Sequence, residues 1–254
     1  MRAAITGAAT GIGAATVDKL KERDYEIVAF DIAQPPGADH WIRVDMSDSD
    51  AIDTAVRQVS GSFDCLINNA GLPPREGLAH TILGVNYLGM VQMTNALIPM
   101  LNKGAAIVNT ASRAGGQWRR NIDQVRALLA LEDPGYLSEF IRAEEIDHIR
   151  AYNLSKEAVI AWGMTQTERL ISLDLRMNSV SPAAVSTGIL KDFTKAFGPA
   201  VAKNVERVGR PGLPEEIADV IMFLISRQSG WIKGQDIVID GGMSSLAIAD
   251  ELTV

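Results

Sequence analysis

Cysteine and histidine are scarce in this sequence, and their scarcity excludes several kinds of site. Cys65 is the only cysteine among 254 residues, so an internal disulfide is impossible and a reducing, cytoplasmic location is expected. Cys65 lies in an apolar run, which favours a small buried side chain over a reactive thiol. The three histidines, His40, His80 and His148, lack the spacing of metal ligands, so we predict no metal site.

Basic runs and long apolar runs are also missing. The chain has 24 Lys and Arg residues against 31 Asp and Glu residues, a net charge of −7 at pH 7. This charge opposes binding to a phosphate backbone, so nucleic acid is not expected as a partner. No apolar run reaches the length of a membrane span, and Gly7 interrupts the apolar N-terminal segment too early for a signal peptide. We therefore expect no membrane association.

What the sequence does have is an alternation of short apolar runs with amphipathic stretches. The apolar runs predict strands at Arg2–Thr6, Glu26–Asp31, Trp41–Val44, Phe63–Ile67, Ala105–Ala111, Leu175–Val180 and Asp236–Ile239. The amphipathic stretches predict helices near Gly11–Arg23, Asp48–Val59, Ala79–Leu101, Ile149–Leu170 and Pro214–Ser226. This pattern is typical of an α/β fold with helices on both faces of a parallel sheet. We predict one doubly wound, Rossmann-like domain over residues 1–254.

Two segments depart from the regular alternation. The connection from Asp31 to Trp41 contains Gln34-Pro35-Pro36-Gly37, which opposes a helix, so we predict a loop there. The segment 113–148 is far longer than an ordinary connection. Its apolar residues recur at helical spacing on both sides of Asp133-Pro134-Gly135, so we predict a helical hairpin inserted between the fifth strand and the next helix.

A glycine-rich segment joins the first strand to the first helix. Gly7, Gly11 and Gly13 form the pattern G-x-x-x-G-x-G, where glycine lets a ligand approach the main chain and the helix N-terminus offers free N–H groups. Such a segment suits the diphosphate of a dinucleotide. Its order departs from the more common G-x-G-x-x-G, and a plain glycine-rich turn is the alternative.

The second strand ends at Asp31, 20 residues after Gly11. A carboxylate at this point can accept hydrogen bonds from the adenosine ribose hydroxyls and would repel a 2′-phosphate. No arginine follows in Ile32-Ala33-Gln34, so the sequence favours NAD over NADP. The alternative is that Asp31 is a solvated strand-end carboxylate or a cap.

Tyr152 and Lys156 are four residues apart in a predicted helix, so their side chains share one face. A tyrosine with an ordinary pKa of about 10 is a poor base at neutral pH. An ammonium about 4 Å away, at an effective dielectric of about 20, would lower that pKa by roughly three units before burial is considered. The pair can therefore supply general acid–base chemistry near neutral pH.

These motifs also occur in the order of a known family. The sequence resembles the short-chain dehydrogenase/reductase family over nearly its whole length, through the matches Thr6-Gly7 to Gly13, Asp45, Asn68-Asn69-Ala70-Gly71, Asn86, Ser112, Tyr152-x-x-x-Lys156, Pro182 to Thr187 and Asp240-Gly241-Gly242. The resemblance implies an oxidoreductase that transfers a hydride between NAD and a small-molecule alcohol or carbonyl substrate.

The resemblance also implies catalytic roles. Tyr152 would accept the alcohol proton, and Lys156 would hold the nicotinamide ribose. Ser112 would hydrogen-bond the substrate oxygen, and Asn86 would hold a water that links Lys156 to bulk solvent. The alternatives are that Asn86 and Ser112 are ordinary capping or strand-end residues and that Ser155 competes as the hydroxyl donor.

The same resemblance implies a set of cofactor contacts. They fall at Gly7, Thr10, Gly11, Ile12, Gly13, Asp31, Asp45, Met46, Asn69, Ala70, Gly71, Tyr152, Lys156, Pro182, Val185 and Thr187. In the last loop, Val185 would contribute its backbone and Thr187 its hydroxyl to the nicotinamide carboxamide. This loop has Ala183 where the family usually has glycine, which restricts the backbone and leaves the loop's detailed shape open.

An apolar stripe follows the last of these motifs. Ile189, Leu190, Phe193 and Phe197 recur at helical spacing, in the region that forms a mobile lid over the substrate in the family. Packing on the core is the alternative. In either case the ceiling of the site is apolar, which favours a bulky, hydrophobic or aromatic alcohol.

Ser112 and Tyr152 are 40 residues apart. This layout resembles the subgroup that contains coniferyl-alcohol dehydrogenases and bacterial 3α-hydroxysteroid dehydrogenase/carbonyl reductases. The sequence resembles the coniferyl-alcohol enzymes more closely, through Arg176-Met177-Asn178, Ile189-Leu190-Lys191-Asp192-Phe193 and Trp231-Ile232-Lys233-Gly234. We therefore expect an aromatic alcohol such as coniferyl alcohol, with a steroid 3α-alcohol as the second candidate.

Several features stay open in the sequence. Arg113, Arg119 and Arg120 flank Trp118 and either meet an anionic substrate or face solvent. The insertion precedes the Tyr152 helix, which forms a subunit contact in many family members. The extra helices would either block that contact or form a new one, so we predict a homodimer. Two other classes share this fold, a non-catalytic NAD-binding sensor and a lyase of the halohydrin dehalogenase type. The retained tyrosine opposes the first, and the intact glycine motif opposes the second.

Overall fold

The computed structural model describes residues 1–131 and 133–252, which form one parallel sheet flanked by helices. The predicted domain of 1–254 thus includes three positions outside the described residues, and position 132 falls in the predicted insertion. The strands are β1 Arg2–Thr6, β2 Glu26–Asp31, β3 His40–Arg43, β4 Phe63–Asn68, β5 Leu101–Thr110, β6 Arg176–Pro182 and β7 Asp236–Ile239. Their order, β3-β2-β1-β4-β5-β6-β7, is the doubly wound arrangement that the sequence predicts.

Helices connect the strands and cover both faces of the sheet. They are α1 Gly11–Lys21, α2 Ser49–Arg57, α3 Ala79–Leu83, α4 Met90–Leu97, α5 Ile122–Leu129, α6 Leu137–Ala143, α7 His148–Thr165, α8 Thr167–Ser172, α9 Leu190–Phe197, α10 Pro199–Val208, α11 Pro214–Ile225 and α12 Met243–Leu252. The core beneath one face is closed by α2, α3, α4 and α7, and the core beneath the other by α1 and α11.

Side chains of the central strands alternate between these two cores. In β1, Ala4 belongs to the core that contains Phe30, whereas Ile5 belongs to the opposite core. A strand buried on both faces needs apolar residues at every position, which explains the continuous apolar runs in the sequence. Cys65 is 1% exposed in the second core, and burial raises the pKa of its thiol. The prediction of a small buried side chain at Cys65 is confirmed.

The sheet order reverses between β1 and β4, which are neighbours although they are not consecutive in the chain. In open α/β sheets, ligands bind in the crevice outside the carboxyl ends of the strands at such a point. Gly7 follows β1 and Asn69 follows β4, so both lie at this crevice.

The predicted helix Ala79–Leu101 is wrong in its continuity. It consists of α3, a π-helical turn over Gly84–Gly89, and α4, followed by a 3₁₀ turn. Gly89 packs so closely on the Met46 carbonyl that an added Cβ would lie 2.0 Å from its oxygen. Pro99 lies in the 3₁₀ turn, and β5 then starts at Leu101, four residues before the predicted strand.

The other predicted bounds differ by less. The predicted helix Ile149–Leu170 is divided between α7 and α8, which meet at Gln166. The connection after β2 contains no helix among its described residues, as its paired prolines predict.

The insertion contains two short helices, α5 and α6, at the two apolar stretches on either side of Asp133. The Asp133 side chain accepts a hydrogen bond from the Gly135 N–H at 2.8 Å, which begins a 3₁₀ turn. Both helices dock on the body of the fold, α5 against α7 and α6 against α3. The insertion is therefore packed against the helix that carries Tyr152.

Candidate active site

The turn between β1 and α1 relies on glycine at three positions. Gly7 has a φ of 66° and Gly11 a φ of 57°, in the left-handed region that favours glycine. A Cβ on Gly13 would lie 1.9 Å from the Gly7 carbonyl oxygen. No side chain caps α1 at Thr10, so its first N–H groups remain available to a ligand at the crevice.

Polar side chains fasten this turn to the neighbouring strand ends. The Asn69 amide donates to the Gly7 carbonyl at 2.7 Å, and Thr6 Oγ1 accepts from the N–H groups of Asn69 and Ala70, each at 3.1 Å. Thr110 at the end of β5 donates to Asn69 Oδ1 at 3.2 Å. We did not predict from the sequence that Thr110 holds Asn69 in place. Its position at the carboxyl end of a strand, two residues before Ser112, could have indicated such a role.

Asp31 lies beside the glycine-rich turn at the end of β2. One carboxylate oxygen accepts from the Ala9 N–H at 2.9 Å and the other from the Ala33 N–H at 3.0 Å. Asp45 and Met46 line the same cavity, and the Asp45 carboxylate accepts from the backbone and hydroxyl of Ser47. The carboxylate of Asp31 is therefore oriented by main-chain donors on both sides.

Tyr152 and Lys156 lie on one face of α7, as their spacing predicts, and both are buried. The Lys156 nitrogen lies 5.9 Å from the centre of the Tyr152 ring and donates to the Thr110 carbonyl at 2.8 Å. A Cβ on Gly71 would lie 3.5 Å from that nitrogen and 3.4 Å from Asn86 Oδ1. Lys156 and Asn86, from two separate segments, thus converge beside Gly71.

The pKa values of the pair differ from the expectation. Burial raises the pKa of Tyr152 to about 12, and a hydrogen bond with the Ser112 side chain acts in the opposite direction. Burial lowers the pKa of Lys156 to about 8. The expectation that the ammonium brings the tyrosine pKa near neutrality is wrong for the protein alone, because desolvation of the phenolate outweighs the effect of the Ser112 hydrogen bond.

Ser112 follows β5 and serves two partners. Its hydroxyl oxygen accepts from the Ala114 N–H at 3.2 Å, so it caps the 3₁₀ turn Arg113–Gln117. Its side chain also acts on the Tyr152 hydroxyl, whose pKa it lowers. Ser112 is therefore a capping residue, as the alternative interpretation states, and it also acts on Tyr152.

Asn86 lies in the π-helical turn and is fixed by backbone groups. Its side chain accepts from the Leu72 N–H at 2.7 Å and donates to the Leu72 carbonyl at 3.0 Å. It also donates to Ser155 Oγ at 3.2 Å, and Ser155 in turn donates to the Tyr152 carbonyl at 2.7 Å. Ser155 is fully buried and committed to these bonds, whereas Ser112 lines the cavity.

The loop after β6 closes over the glycine-rich turn. Val185 pairs with Gly212 in a short parallel bridge, and the Thr187 methyl would lie 3.1 Å from a Cβ on Gly11. Ala183 is not among the non-glycine residues with positive φ in the described part of the chain. Alanine therefore fits this loop without backbone strain, although the family usually has glycine at this position.

Aromatic side chains from α9 cover Tyr152. The Phe193 ring lies edge-on to the Tyr152 ring at 5.2 Å, and the Phe197 ring lies 6.4 Å away. Asp192, next to Phe193, accepts from Arg75 at 2.9 Å, which joins α9 to the segment after β4. Phe193 and Phe197 pack on the core and also line the cavity, and Ile189 lines the cavity as well.

These elements enclose a cavity of about 880 Å³, which is large enough for a dinucleotide portion and a substrate. Every residue that the sequence assigned to cofactor contact lines it except Gly13, which shapes the turn. Of the three open arginines, only Arg113 lines the cavity, and its Nε lies 3.2 Å from Ser244 Oγ and 3.7 Å from Asp240. Arg119 is exposed and stacks on Trp118 at 4.2 Å.

Comparison with known proteins identifies the family. A family model described as short chain dehydrogenase matches residues 1–122, and one described as enoyl-(acyl carrier protein) reductase matches residues 137–244. The coniferyl-alcohol dehydrogenase of Pseudomonas sp. strain HR199 is 30% identical over 246 residues, with 95% of each chain covered. The chain belongs to the short-chain dehydrogenase family. It is therefore an oxidoreductase by family, and the stretch between the two matched ranges lies in the insertion.

Two further short-chain dehydrogenases are similar over almost the whole chain. The 3-alpha-hydroxysteroid dehydrogenase/carbonyl reductase of Comamonas testosteroni is 31% identical, covering 95% of this chain and 96% of its own. The crystal structure of the 3-alpha-hydroxysteroid dehydrogenase from Pseudomonas sp. B-0831 with NADH has a TM-score of 0.88 at 28% identity. It covers 98% of this chain and 99% of its own. Among the described residues, no helix is both long and apolar enough to span a membrane.

Proposed function

We propose that this protein is an NAD-dependent dehydrogenase for a bulky apolar or aromatic alcohol, or for the corresponding carbonyl compound. The observation that carries the proposal is the position of Tyr152. Its buried ring packs on Phe193 and its hydroxyl is influenced by Ser112, in the same cavity that the glycine-rich turn lines. Acid–base groups, a dinucleotide-sized recess and an apolar roof therefore meet at one place.

The turn residues fit a dinucleotide. Gly7, Gly11 and Gly13 would hold its diphosphate, because their missing side chains and the uncapped start of α1 leave main-chain N–H groups accessible. Asp31 would accept hydrogen bonds from the adenosine ribose and disfavour a 2′-phosphate, which supports NAD over NADP. When bound, NAD supplies the acceptor for the hydride of the alcohol.

The remaining steps belong to the protein. Tyr152, in its phenolate form, takes the alcohol proton at its phenol oxygen, and Ser112 donates to the substrate oxygen and positions it. Lys156 stabilises the phenolate form and holds the nicotinamide ribose. Asn86, fixed by the backbone of Leu72, keeps the π-helical turn in the shape that carries a water next to Lys156, so that the proton can reach solvent.

The substrate class follows from the roof and from the relatives. Phe193 and Phe197 lie parallel, 6.3 Å apart, and offer aromatic surface above Tyr152. We propose a coniferyl-type aromatic alcohol as the substrate, since one similar relative is named for that alcohol. A steroid 3α-alcohol is the second candidate, supported by the two steroid dehydrogenase relatives.

The test is a panel of cinnamyl-type, benzylic and 3α-steroid alcohols with NAD and with NADP, followed by nicotinamide absorbance. We expect turnover of the cinnamyl type with NAD and a loss of roughly 10²–10⁴-fold in kcat for Tyr152→Phe. NADH binding by the variant shows that the site is intact. No turnover across the panel by a folded, NADH-binding wild type would favour the sensor, and a fully active variant would refute the role of Tyr152.

We further propose that the protein acts in the cytoplasm as a homodimer. The single buried cysteine suits a reducing compartment. Large apolar side chains are exposed on α11, on the turn after it and on the edge strand β7, at Phe223, Trp231 and Val238. A second copy would cover such a surface. Light scattering should give twice the mass of one chain, and a monomer at micromolar concentration would contradict this.

A further inference from the structure

The helix α9, which covers Tyr152, is loosely attached to the body of the protein. None of its residues is buried. Phe193 and Phe197 pack on the core and line the cavity. Lys191 and Lys195 are exposed, so only one face of the helix makes apolar contact. An element with few buried contacts opens at a lower free-energy cost than the core does, so the position of α9 depends on any further contact that it makes.

Glycines near both ends leave the backbone around α9 free to turn. Gly188 lies two residues before the helix, and Gly198 follows it directly with a φ of 65°. Beyond the chain neighbours, a Cβ on either glycine would have no described atom within 4 Å, so neither position is held by close packing. Glycine also has more accessible backbone conformations than other residues. These two positions can therefore act as joints about which α9 moves.

The segment after β4 forms another wall of the cavity, and this wall is fixed to the core. Gly71 and Leu72 line the cavity. The backbone of Leu72 makes two hydrogen bonds with the side chain of Asn86, at 2.7 and 3.0 Å, and Asn86 is 2% exposed. Arg75 lies three residues after Leu72. Its side chain therefore starts from a wall whose backbone is held in place.

One ion pair joins this fixed wall to α9. The Arg75 Nη2 atom donates to Asp192 Oδ2 at 2.9 Å, between positions 117 residues apart. The Arg75 side chain is 51% exposed and that of Asp192 26%, so the pair lies at the surface. The guanidinium holds the pKa of the Asp192 carboxyl below its ordinary value. No other ion pair joins α9 to the rest of the described chain.

We propose that Arg75 and Asp192 are positioning residues, whose ion pair, the clasp, holds α9 over the cavity so that an apolar alcohol binds more tightly. This inference rests on the proposed function and adds to it the residues that hold the roof of the substrate site. Asp192 precedes Phe193, so a tie at the carboxylate fixes the ring that lies edge-on to Tyr152 at 5.2 Å. Neither charged residue lines the cavity, so the clasp acts through the position of Phe193 and not by touching the substrate.

Chymotrypsin, which cuts after aromatic residues, tests the clasp without any substrate. It can cut after Phe193 only when α9 has left the cavity, so its rate reports the population of the open form when closing is faster than cleavage. In Arg75→Ala this rate should rise about two- to fivefold, the range that an exposed ion pair supports. Arg126→Ala removes an exposed pair within α5 and should leave the rate unchanged. Mass spectrometry identifies the cut, circular dichroism checks folding, and an unchanged rate in a folded Arg75→Ala would overturn the proposal.

A second background shows whether the two charges act as a pair. In Asp192→Asn, the further change Arg75→Ala should not alter the rate of cleavage after Phe193, because the partner charge is already gone. The comparison within that background also cancels any direct effect of position 192 on the protease. Salt should bring the ratio of the Arg75→Ala rate to the wild-type rate towards one, since it screens an exposed pair. The same fold-change in both backgrounds would refute the clasp.

Turnover of cinnamyl alcohol with saturating NAD connects the clasp to the substrate. Arg75→Ala should raise KM about two- to fivefold at an unchanged kcat, because the pair contributes to binding and not to the chemical step. Arg75→Lys keeps a cation near Asp192, so its KM should lie between those of the wild type and Arg75→Ala. A wild-type KM in Arg75→Ala would overturn the role in binding. If the wild type oxidises no alcohol although the protease results hold, the proposed substrate class fails and the clasp stands.

Discussion

The ammonium group of Lys156 donates a hydrogen bond to the carbonyl oxygen of Thr110, 2.8 Å away. The amine is thus held by the backbone at the end of β5 and not by a carboxylate. A neutral acceptor offsets little of the desolvation of a buried ammonium, which is why burial lowers the pKa of Lys156 to about 8. The electrostatic behaviour of the site therefore depends on this lysine, and it can be measured without any substrate.

The first prediction concerns stability against pH. The pKa of Lys156 is about 8 in the folded chain against an ordinary 10.5, so between these pH values the unfolded chain binds more protons and stability rises with pH. The free energy of unfolding of the wild type, minus that of Lys156→Met, should increase by up to about 3 kcal/mol across this window. Urea titrations at several pH values measure it, and a constant difference would contradict the shift.

Tyr152 gives a matched control of opposite sign. Its pKa is about 12 in the folded chain against an ordinary 10.0, so the unfolded chain loses its proton first and stability falls from pH 10 to pH 12. The same titrations on Tyr152→Phe should remove that fall and leave the rise due to Lys156 unchanged. A variant that instead loses the rise at lower pH would show that the two groups titrate as a coupled pair.

The second prediction concerns the choice of cofactor. Replacing Asp31 by arginine removes the carboxylate that disfavours a 2′-phosphate and adds a cation that pairs with one, so the ratio of kcat/KM for NAD to that for NADP should invert. Asp31 also accepts from the Ala9 N–H, so loosening of the turn must be separated from charge. Asp31→Asn serves this purpose. An unchanged ratio in Asp31→Arg would remove the ground for NAD specificity.

The third prediction tests the close packing of the glycine-rich turn. In Gly13→Ala, the new methyl group would lie 1.9 Å from the Gly7 carbonyl oxygen, so the turn must open and NADH binding should be lost. Gly116→Ala is the control, because a Cβ there has no neighbour within 4 Å and the residue does not have positive φ. Calorimetric titration with NADH compares them, and wild-type affinity in Gly13→Ala would exclude this turn as the diphosphate site.

The fourth prediction concerns the bond between the insertion and α7. Arg150→Ala leaves the Glu157 carboxylate, 1% exposed, without its cation and should destabilise the fold by about 3 kcal/mol. Arg126→Ala removes an ion pair with Asp123 in which both side chains are exposed, and no measurable change is expected. Thermal unfolding of the two variants gives the comparison. Equal midpoints would mean that the network adds nothing to stability.

The sequence predicts those parts of the site that depend on local order. Gly7, Asn69 and Ser112 each follow a buried strand, and parallel strands bring their carboxyl ends to one edge, so the convergence of these residues could be foreseen. The shared face of Tyr152 and Lys156 follows from helical spacing alone. The two cores were accessible as well, since continuous apolar runs indicate strands buried on both faces.

Properties that arise from long-range packing could not be predicted. The π-helical turn Gly84–Gly89 contains one more residue per hydrogen-bonded turn than an α-helix. The sequence of these six residues does not indicate that change. The bond from Lys156 to Thr110 joins positions 46 residues apart. The pKa of Tyr152 depends on the burial of its side chain, to which Phe193 contributes. The spacing of Tyr152 and Lys156 indicates that their charges attract, but it does not reveal the desolvation that disfavours the phenolate.

The contact between Thr187 and Gly11 sets a condition on folding. The floor of the cavity is made by the first connection of the sheet and its cover by the loop after the sixth strand, so the cavity is complete only when distant parts of the chain have assembled. A nascent chain still lacking β6 on the ribosome would present the glycine-rich turn without its cover. A ligand could therefore bind only after the last folding step. Its binding would shift the folding equilibrium toward the native state and protect the folded protein against proteolysis.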